Sequence, residues 1–534
     1  MGVVQSTAKS IWRATQAVQG LNDHIKNVLK RASEQPGFPV KNPTDPYWTG
    51  QPLFPDLADA FMPLPSNQAD IVIIGSGLTA AAVARSVFEE GNRWGKRRRI
   101  VVLESRSLCS GATGRSSGHI KSTPHELFAA HKSSLGATRA AKLARLQLYN
   151  LIMLREMCNA KGWDIAECRE LQTVDLFLNE EDRDAAFRKM REMRNHIPEF
   201  RANKWDGREA RKWFDVNKLV KGAMTYTAGA IWPYAFVSLV WKELLYKYKY
   251  FLFLQTNTPV LAIETTQDNP NYAYGVITLQ GTILCNHVVH ATNAFAPELV
   301  PGLRGKLTGL LGTTTAQRPG VKFPDRNGKR SWSVIYGQHS DNAVQRPSVA
   351  GRPGDLLVSG GFSRSLGEGA SSVGVWDDSQ LDPLPVAHLG GILSTIFDSK
   401  FWGSGANGRS GSMKAWTGII GVTGDMLPLV GRLGSRLTGR KPDLPPHKRS
   451  SADRGIVRPG EWISAGYCGD GMVWAWMCGT ALGVMLSGTE LDNVVGEVGR
   501  PDGPLESWFP APDLAPSAKR LKNARLENLA DRFI

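Results

Sequence analysis

Asp70-Ile-Val-Ile-Ile-Gly75-Ser-Gly77-Leu-Thr-Ala80, followed by Ile100-Val-Val-Leu-Glu104, is the stretch on which the reading of this chain turns. The two unbroken apolar runs predict strands buried on both faces, as in a parallel sheet flanked by helices. Between them, Leu78 to Glu90 reads as a helix. Gly75 permits a tight turn off the first strand, and Gly77 lets the backbone approach a pyrophosphate. Ala80 is small enough for close helix–strand packing. The helix that opens at Leu78 and Thr79 points its positive end at those phosphates. Glu104 is placed to hydrogen-bond a ribose hydroxyl pair. The interval from Gly75 to Glu104 exceeds the usual ~20 residues. The basic loop Gly91-Asn-Arg-Trp-Gly-Lys-Arg-Arg-Arg99 accounts for the excess. A lone GxGxxA is weak, but one between two strands with an acid ending the second is strong. NAD and FAD both use such a unit, so the turn alone leaves the dinucleotide open.

Working outward, residues 1–35 read as an amphipathic N-terminal helix and the proline-rich stretch 36–68 as an extended arm wrapping the body. The fold class expected is α/β with mixed α+β character. A discontinuous Rossmann-like dinucleotide-binding domain (69–125, 220–300 and 415–490) interleaves with an antiparallel-sheet substrate domain (126–219 and 301–414). Residues 491–534 form a tail that ends as a charged helix. Residues 124–220 read as mostly helical, 330–364 as antiparallel strands, and 382–401 as a helix. Trp462 to Ala465 reads as a last strand, leading to a helix near Met472.

A net charge of +15 over 534 residues invites an anionic partner. Its densest runs, Lys96 to Arg99 and Arg432 to Arg458, lack the aromatic interleaving of a nucleic-acid binder, so no nucleic acid is expected. The six cysteines show no CxxC pair or zinc spacing, and no usable glycosylation triplet occurs. Both fit a reducing, cytoplasmic setting. His125 and His131, flanking Glu126, lie six apart rather than the four that one helical face requires, so no metal is expected. No cleavable signal peptide is expected, and no uncharged run reaches the ~18–20 residues of a membrane span. Met1-Gly2-Val-Val-Gln-Ser6 fits the N-myristoylation pattern, which is short enough to arise by chance. A single acyl chain on Gly2 gives only weak, peripheral membrane association.

After Glu104 comes Leu108-Cys-Ser110-Gly111-Ala112-Thr113-Gly114-Arg115-Ser-Ser-Gly118-His119, small and hydroxyl-rich. With it the chain resembles the D-amino-acid oxidase / glycine oxidase / sarcosine oxidase (DAO) family of FAD-dependent oxidoreductases. Its Ser-Gly-Ala-Thr-Gly-Arg motif is similar to that of the gamma-glutamylputrescine oxidase branch, although Ser117 stands where that branch often has glycine. The resemblance recurs in order over roughly residues 36–490. It implies that Val260 meets adenine through its backbone, and that Ala291 and Thr292 lie at the strand-end turn closing the FAD fold. It implies further that Gly431 ends the segment on the flavin face. Gly469-Asp470-Gly471-Met472 would bring a helix N-terminus to the flavin pyrimidine.

The resemblance implies FAD, hydride transfer from the α-carbon of an amine or amino acid to flavin N5, and oxygen as acceptor. Arg346 and Tyr336 are candidates to anchor a substrate carboxylate, because Arg offers a bidentate fork and Tyr a fixed hydroxyl. They read equally as a surface arginine and a half-buried sheet tyrosine. His119 is a candidate contact to the flavin, and Lys414 a candidate for promoting the oxygen reaction or a solvated lysine. Cys109 and Cys468 fall in cofactor loops but match no attachment position of covalent relatives, so the expected FAD is non-covalent. Two alternatives stay open: an FAD oxidase of a non-amine hydrophobic metabolite, and a non-catalytic membrane-associated flavoprotein.

Overall fold

The computed structural model describes all residues except 1–22, 24, 51, 267–268, 270, 350, 404–410, 443–456 and 530–534. Ile71–Ile74 and Ile100–Leu103 are adjacent parallel strands with every residue buried. Strand side chains alternate between faces, so an unbroken apolar run is stable only where both faces are covered. The pair lies within a six-stranded sheet ordered Leu429–Arg432, Gly460–Ala465, His287–His290, Ile71–Ile74, Ile100–Leu103, Leu252–Gln255. All junctions are parallel except the outermost, between Leu429–Arg432 and Gly460–Ala465. Ile71, Ile73, Ile100 and Val102 pack with helices Leu78–Arg93, Pro233–Lys247 and Gly471–Ser487. Val72, Ile74, Val101 and Leu103 pack with a three-stranded antiparallel sheet of Ala262–Thr265, Tyr274–Thr278 and Gly281–Cys285.

A second sheet runs Gly411–Thr423, Leu307–Arg318, Leu356–Gly360, His339–Gln345, Arg330–Tyr336, Arg169–Phe177, Gly222–Ala230, His119–Ile120, with Ala202–Asp206 beside Gly222–Ala230. Its parallel junction joins Arg330–Tyr336 to Arg169–Phe177. One face is apolar. Val174, Leu176, Trp332, Val334 and Val358 pack on helix Pro383–Phe401 through Leu389, Leu393 and Phe397. The opposite face carries buried Thr173, Asp175, Ser331 and Ser333.

Residues 124–220 contain the expected helices, but Arg169–Phe177 is a central strand and Ala202–Asp206 an edge strand. Thr173 and Asp175 are buried as fully as Val174 and Leu176, so the strand shows no polar-out alternation. The expected charged tail is one short helix, Ala518–Asn523, and a turn, Leu526–Leu529, both docked through Leu521, Leu526 and Leu529. Gly2 and most of the expected N-terminal helix lie outside the described residues; residues 25–33 are helical. The proline-rich arm runs across the body. Thr44 donates to the Asp378 carbonyl, Trp48 Nε1 to the Ser116 carbonyl, and Met62 to the Leu254 carbonyl. No described helix is long and apolar enough to cross a membrane.

Candidate active site

A cavity of about 450 Å³ is walled by both large sheets. Gly75 to Thr79, Glu104, Val260, Ala291, Thr292 and Gly469 to Met472 line it from the six-stranded side. His119, Thr313, Asn342, Ser359 and Gly418 line it from the other.

The turn is shaped by contacts that only its own residues satisfy. Gly75 has φ +106°, and a Cβ there would lie 2.8 Å from the Ala291 carbonyl oxygen, so glycine is obligatory. A Cβ at Gly77 would lie 2.9 Å from Thr113 Oγ1, which itself accepts the Leu78 N–H at 3.2 Å. Glu104 Oε2 accepts the Ser76 N–H (3.0 Å) and hydroxyl (2.7 Å), while Oε1 accepts the Arg106 N–H (3.0 Å). Its carboxylate thus braces the turn and keeps acceptor capacity at the cavity wall.

Gly111, Ala112, Thr113 and Arg115 also reach the cavity. Arg115 Nε and Arg106 Nη1 grip the buried carboxylate of Asp378 at 3.2 and 3.0 Å. Arg115 donates further to the carbonyls of Thr417 (2.7 Å) and Thr44 (2.8 Å). Arg106 and Asp378 escaped the sequence reading because Asp378 sits in a loop with no motif around it.

At the far end, burial, with Lys121 and Arg169, pushes His119 down to about 3, so its ring is neutral. Its Nε2 lies 2.9 Å from Ser331 Oγ. Lys121 Nζ contacts Asp175 Oδ1 (2.7 Å) and Ser333 Oγ (2.6 Å), and Tyr226 donates to Asp175 Oδ2 (2.9 Å). Asp470 presents its carboxyl from the turn before helix Gly471–Ser487. Desolvation by the surrounding protein raises it to about 6, against the pull of Lys121.

Other expected site residues stand elsewhere. Ala80, Ser110, Gly114 and Gly118 lie behind the wall. The Ser110 carbonyl accepts from Arg106 and Arg115. Cβ atoms at Gly114 and Gly118 would fall 2.3 and 2.1 Å from the carbonyl oxygens of Cys109 and Ile231, so these glycines serve chain crossings. Gly431 belongs to the outer antiparallel strand, paired with Ile463, and a Cβ there would point at Pro516 and Ala515 of the C-terminal segment. Tyr336 shares a face with Trp332 and Val334, away from the cavity, and donates to Asp341 Oδ2 (2.9 Å). Arg346 lies four residues along from Asn342, roughly 13 Å at ~3.3 Å per residue. It is ion-paired with Glu167 and donates to Tyr47 Oη (2.9 Å). Lys414 pairs with Asp45 of the arm. None of these four contributes to the cavity wall.

The sequence profile of the DAO family, FAD dependent oxidoreductase, matches residues 70–483, a span that holds the turn, Glu104 and the N-termini of both cavity-facing helices. The chain belongs to that family. Solved structures with the same fold include glycine oxidase from Geobacillus kaustophilus (TM-score 0.56, 17% identity, covering 78% of this chain and 93% of that one). L-proline dehydrogenase from P. horikoshii superposes with TM-score 0.56 at 17% identity, covering 83% and 97%. L-amino acid deaminase from Proteus vulgaris does so with 0.55 at 15%, covering 82% and 94%. No curated protein matches the chain in sequence.

The residues of this FAD-dependent oxidoreductase fit the cofactor. Thr292 Oγ1 is buried at the wall with no protein partner. Gly111 and Gly469 border open space, with nothing within 4 Å of a Cβ position. The first amides of helix Leu78–Arg93 have no intrahelical acceptor and suit a pyrophosphate. Burial pushes the thiols of Cys109 and Cys468 up, Cys468 to about 11, so both are protonated at neutral pH.

Proposed function

We propose that this enzyme passes a hydride equivalent from the α-carbon of an amine or amino acid to flavin N5, with oxygen as the second acceptor. The observation that carries the reading is one cavity reached by the dinucleotide turn and by a second helix N-terminus, and closed by the polar face of the nine-stranded sheet. The structural neighbours are named for glycine, proline and amino acids, which supports the amine class. The Ser110 to Arg115 motif supports the gamma-glutamylputrescine oxidase branch.

In this reading Gly75 to Thr79 and Thr292 hold the pyrophosphate, Glu104 the ribose and Val260 the adenine, with non-covalent attachment. Gly111 to Arg115 close over the cofactor. When bound, FAD supplies the two-electron acceptor. The N-terminus of helix Gly471–Ser487 offsets negative charge developing beside Gly471 and Met472. Neutral His119 orients substrate or cofactor by hydrogen bonding and takes no proton near pH 7. The domain division drawn from the sequence and weak membrane association through Gly2 belong to the same proposal.

Leu310, Leu311, Phe362, Ile419 and Ile420 also line the cavity, and they favour a second reading, oxidation of a non-amine hydrophobic metabolite. Anaerobic mixing of the purified yellow protein with a panel of amines and amino acids separates the two. Bleaching of the flavin absorbance by amines is expected; bleaching by non-amines alone would transfer the assignment to the second reading.

A further inference from the structure

The charges around the cavity sort substrates by charge. The basic side chains on its described wall are Arg106 and Arg115. Both are clamped on Asp378 and on the carbonyls of Ser110, Thr417 and Thr44. They also flank Glu104, at the expected cofactor end. Among the acids, Glu104 is bonded to Ser76, and Glu298 accepts from Gly37 (2.8 Å) and Gln35 (2.7 Å). Asp470 is the wall acid whose carboxylate receives no hydrogen bond from a described residue.

Around Asp470 the balance is negative. Lys121, the cation within its electrostatic reach, is neutralised by Asp175. His119 is neutral, and burial keeps the Tyr226 hydroxyl and the Cys468 thiol protonated. Arg169, the other cation acting on His119, has its donors on the carbonyls of Gly328, Glu167 and Gln345. Lys121, Asp175 and Asp470 sum to one negative charge, which the N-terminus of helix Gly471–Ser487, worth about half a positive charge, reduces without reversing. A bound ammonium offsets what remains, whereas a carboxylate adds to it. The carboxylate anchors expected from the sequence, Arg346 and Tyr336, are both off the wall, as is Lys414.

We propose that the substrate is an amine without a free carboxylate, recognised as its ammonium form by Asp470, whose carboxylate takes the ammonium proton before the neutral amine gives up hydride. This rests on the amine-oxidation reading and narrows it to one substrate class.

The test uses flavin-loaded protein in its oxidised form, titrated at pH 7.5 with 2-phenylpropan-2-amine, which has no α-hydrogen to lose, and with benzoate. Flavin absorbance reports binding. The amine is expected to bind at least tenfold more tightly than benzoate, and Asp470→Asn to remove that preference. Benzoate binding as tightly as the amine, or a preference that survives Asp470→Asn, overturns the proposal. Should the variant not take up flavin, the wild-type preference must instead collapse as pH falls from 7.5 to 5; a constant preference overturns it. Anaerobic bleaching by phenethylamine, phenylalaninamide and phenylalanine is measured in parallel. Bleaching by the first two and not the third is expected. Equal bleaching by phenylalanine overturns the substrate class. A charge preference without bleaching by any amine keeps the recognition site and overturns amine oxidation.

Discussion

Asp470 is exposed to the cavity, yet the protein packed around it disfavours its ionisation, and that has a measurable signature. Its folded value of about 6 is above the ordinary carboxylate range because desolvation outweighs the attraction of Lys121. For a carboxyl raised on folding, the contribution to stability is intact below the unfolded value and is lost as pH climbs through the folded one. Asp470→Asn, which cannot ionise, should therefore raise the melting temperature of the flavin-free protein at pH 7 relative to wild type, and the gain should vanish near pH 4. A pH-independent difference would show that the carboxyl is not desolvated. Glu104 instead accepts from the Ser76 N–H and hydroxyl and from the Arg106 N–H. Glu104→Gln retains one acceptor and should weaken FAD affinity at least tenfold, measured by flavin fluorescence on titration. That corresponds to about 1.4 kcal/mol, less than a typical bond to a charged acceptor contributes. Glu104 was legible in the sequence because a strand end fixes where it sits. Arg346 was not, since its partner Glu167 stands 179 positions away, and no local pattern says that the fork is already filled.

At the scale of elements, the cavity depends on how helices Leu78–Arg93 and Gly471–Ser487 pack side by side. A Cβ at Gly479 would meet Ala82 Cβ and the Thr79 carbonyl oxygen at 2.7 Å, and one at Gly483 would meet Ser86 Cβ at 2.4 Å. Ser86 Oγ donates to the Thr480 carbonyl across the same seam (2.9 Å). The two glycines let the helix backbones close up. Tyr467 can then bridge Thr79 Oγ1 and Ser464 Oγ at 2.8 Å each, at the cavity end. Gly483→Leu should force the pair apart, costing about 1–3 kcal/mol or more, and should lower melting temperature and flavin retention together. Gly391→Ala, in helix Pro383–Phe401 with nothing within 4 Å of the new Cβ, is the control and should gain about 0.5–1 kcal/mol. Loss of stability in both variants would mean that helix propensity, not the seam, governs the effect. In the sequence, Met472 to Ser487 shows an apolar, glycine-broken run, but the spacing of Gly479 and Gly483 acquires meaning only once Ser86 is opposite. The first strand–turn–helix was readable because its glycine spacing between two apolar strands forms a pattern within one motif, although Gly75 and Gly77 themselves press on Ala291 and Thr113.

For the whole molecule, Arg346, expected to meet substrate, Lys414, expected to promote the oxygen reaction, and Arg115, expected at the cofactor, all fasten the proline-rich arm. Lys414 pairs with Asp45, Arg115 holds Thr44, and Arg346 holds Tyr47 while lying 5.4–5.5 Å from the rings of Tyr47, Trp48 and Trp232. Gly37, Phe38 and Pro39 of the same arm line the cavity, and Glu298 ties Gly37 down. The arm is thus part of the wall, and a loosened arm opens a path to the cofactor. Arg346→Ala removes the ion pair to Glu167, the bond to Tyr47 and the cation over three rings, a loss of about 1–3 kcal/mol. It is expected to lower the melting temperature, speed tryptic cleavage at Lys41 and accelerate flavin release, with KM for an amine substrate changed less than twofold. Arg346→Lys, which keeps charge over the rings but not the fork, should fall between. A substrate anchor would behave in the reverse way: KM would rise tenfold or more in Arg346→Ala while Lys41 stayed protected. That outcome would return Arg346 to the substrate site and would remove the ground for reading the cavity as one that rejects carboxylates.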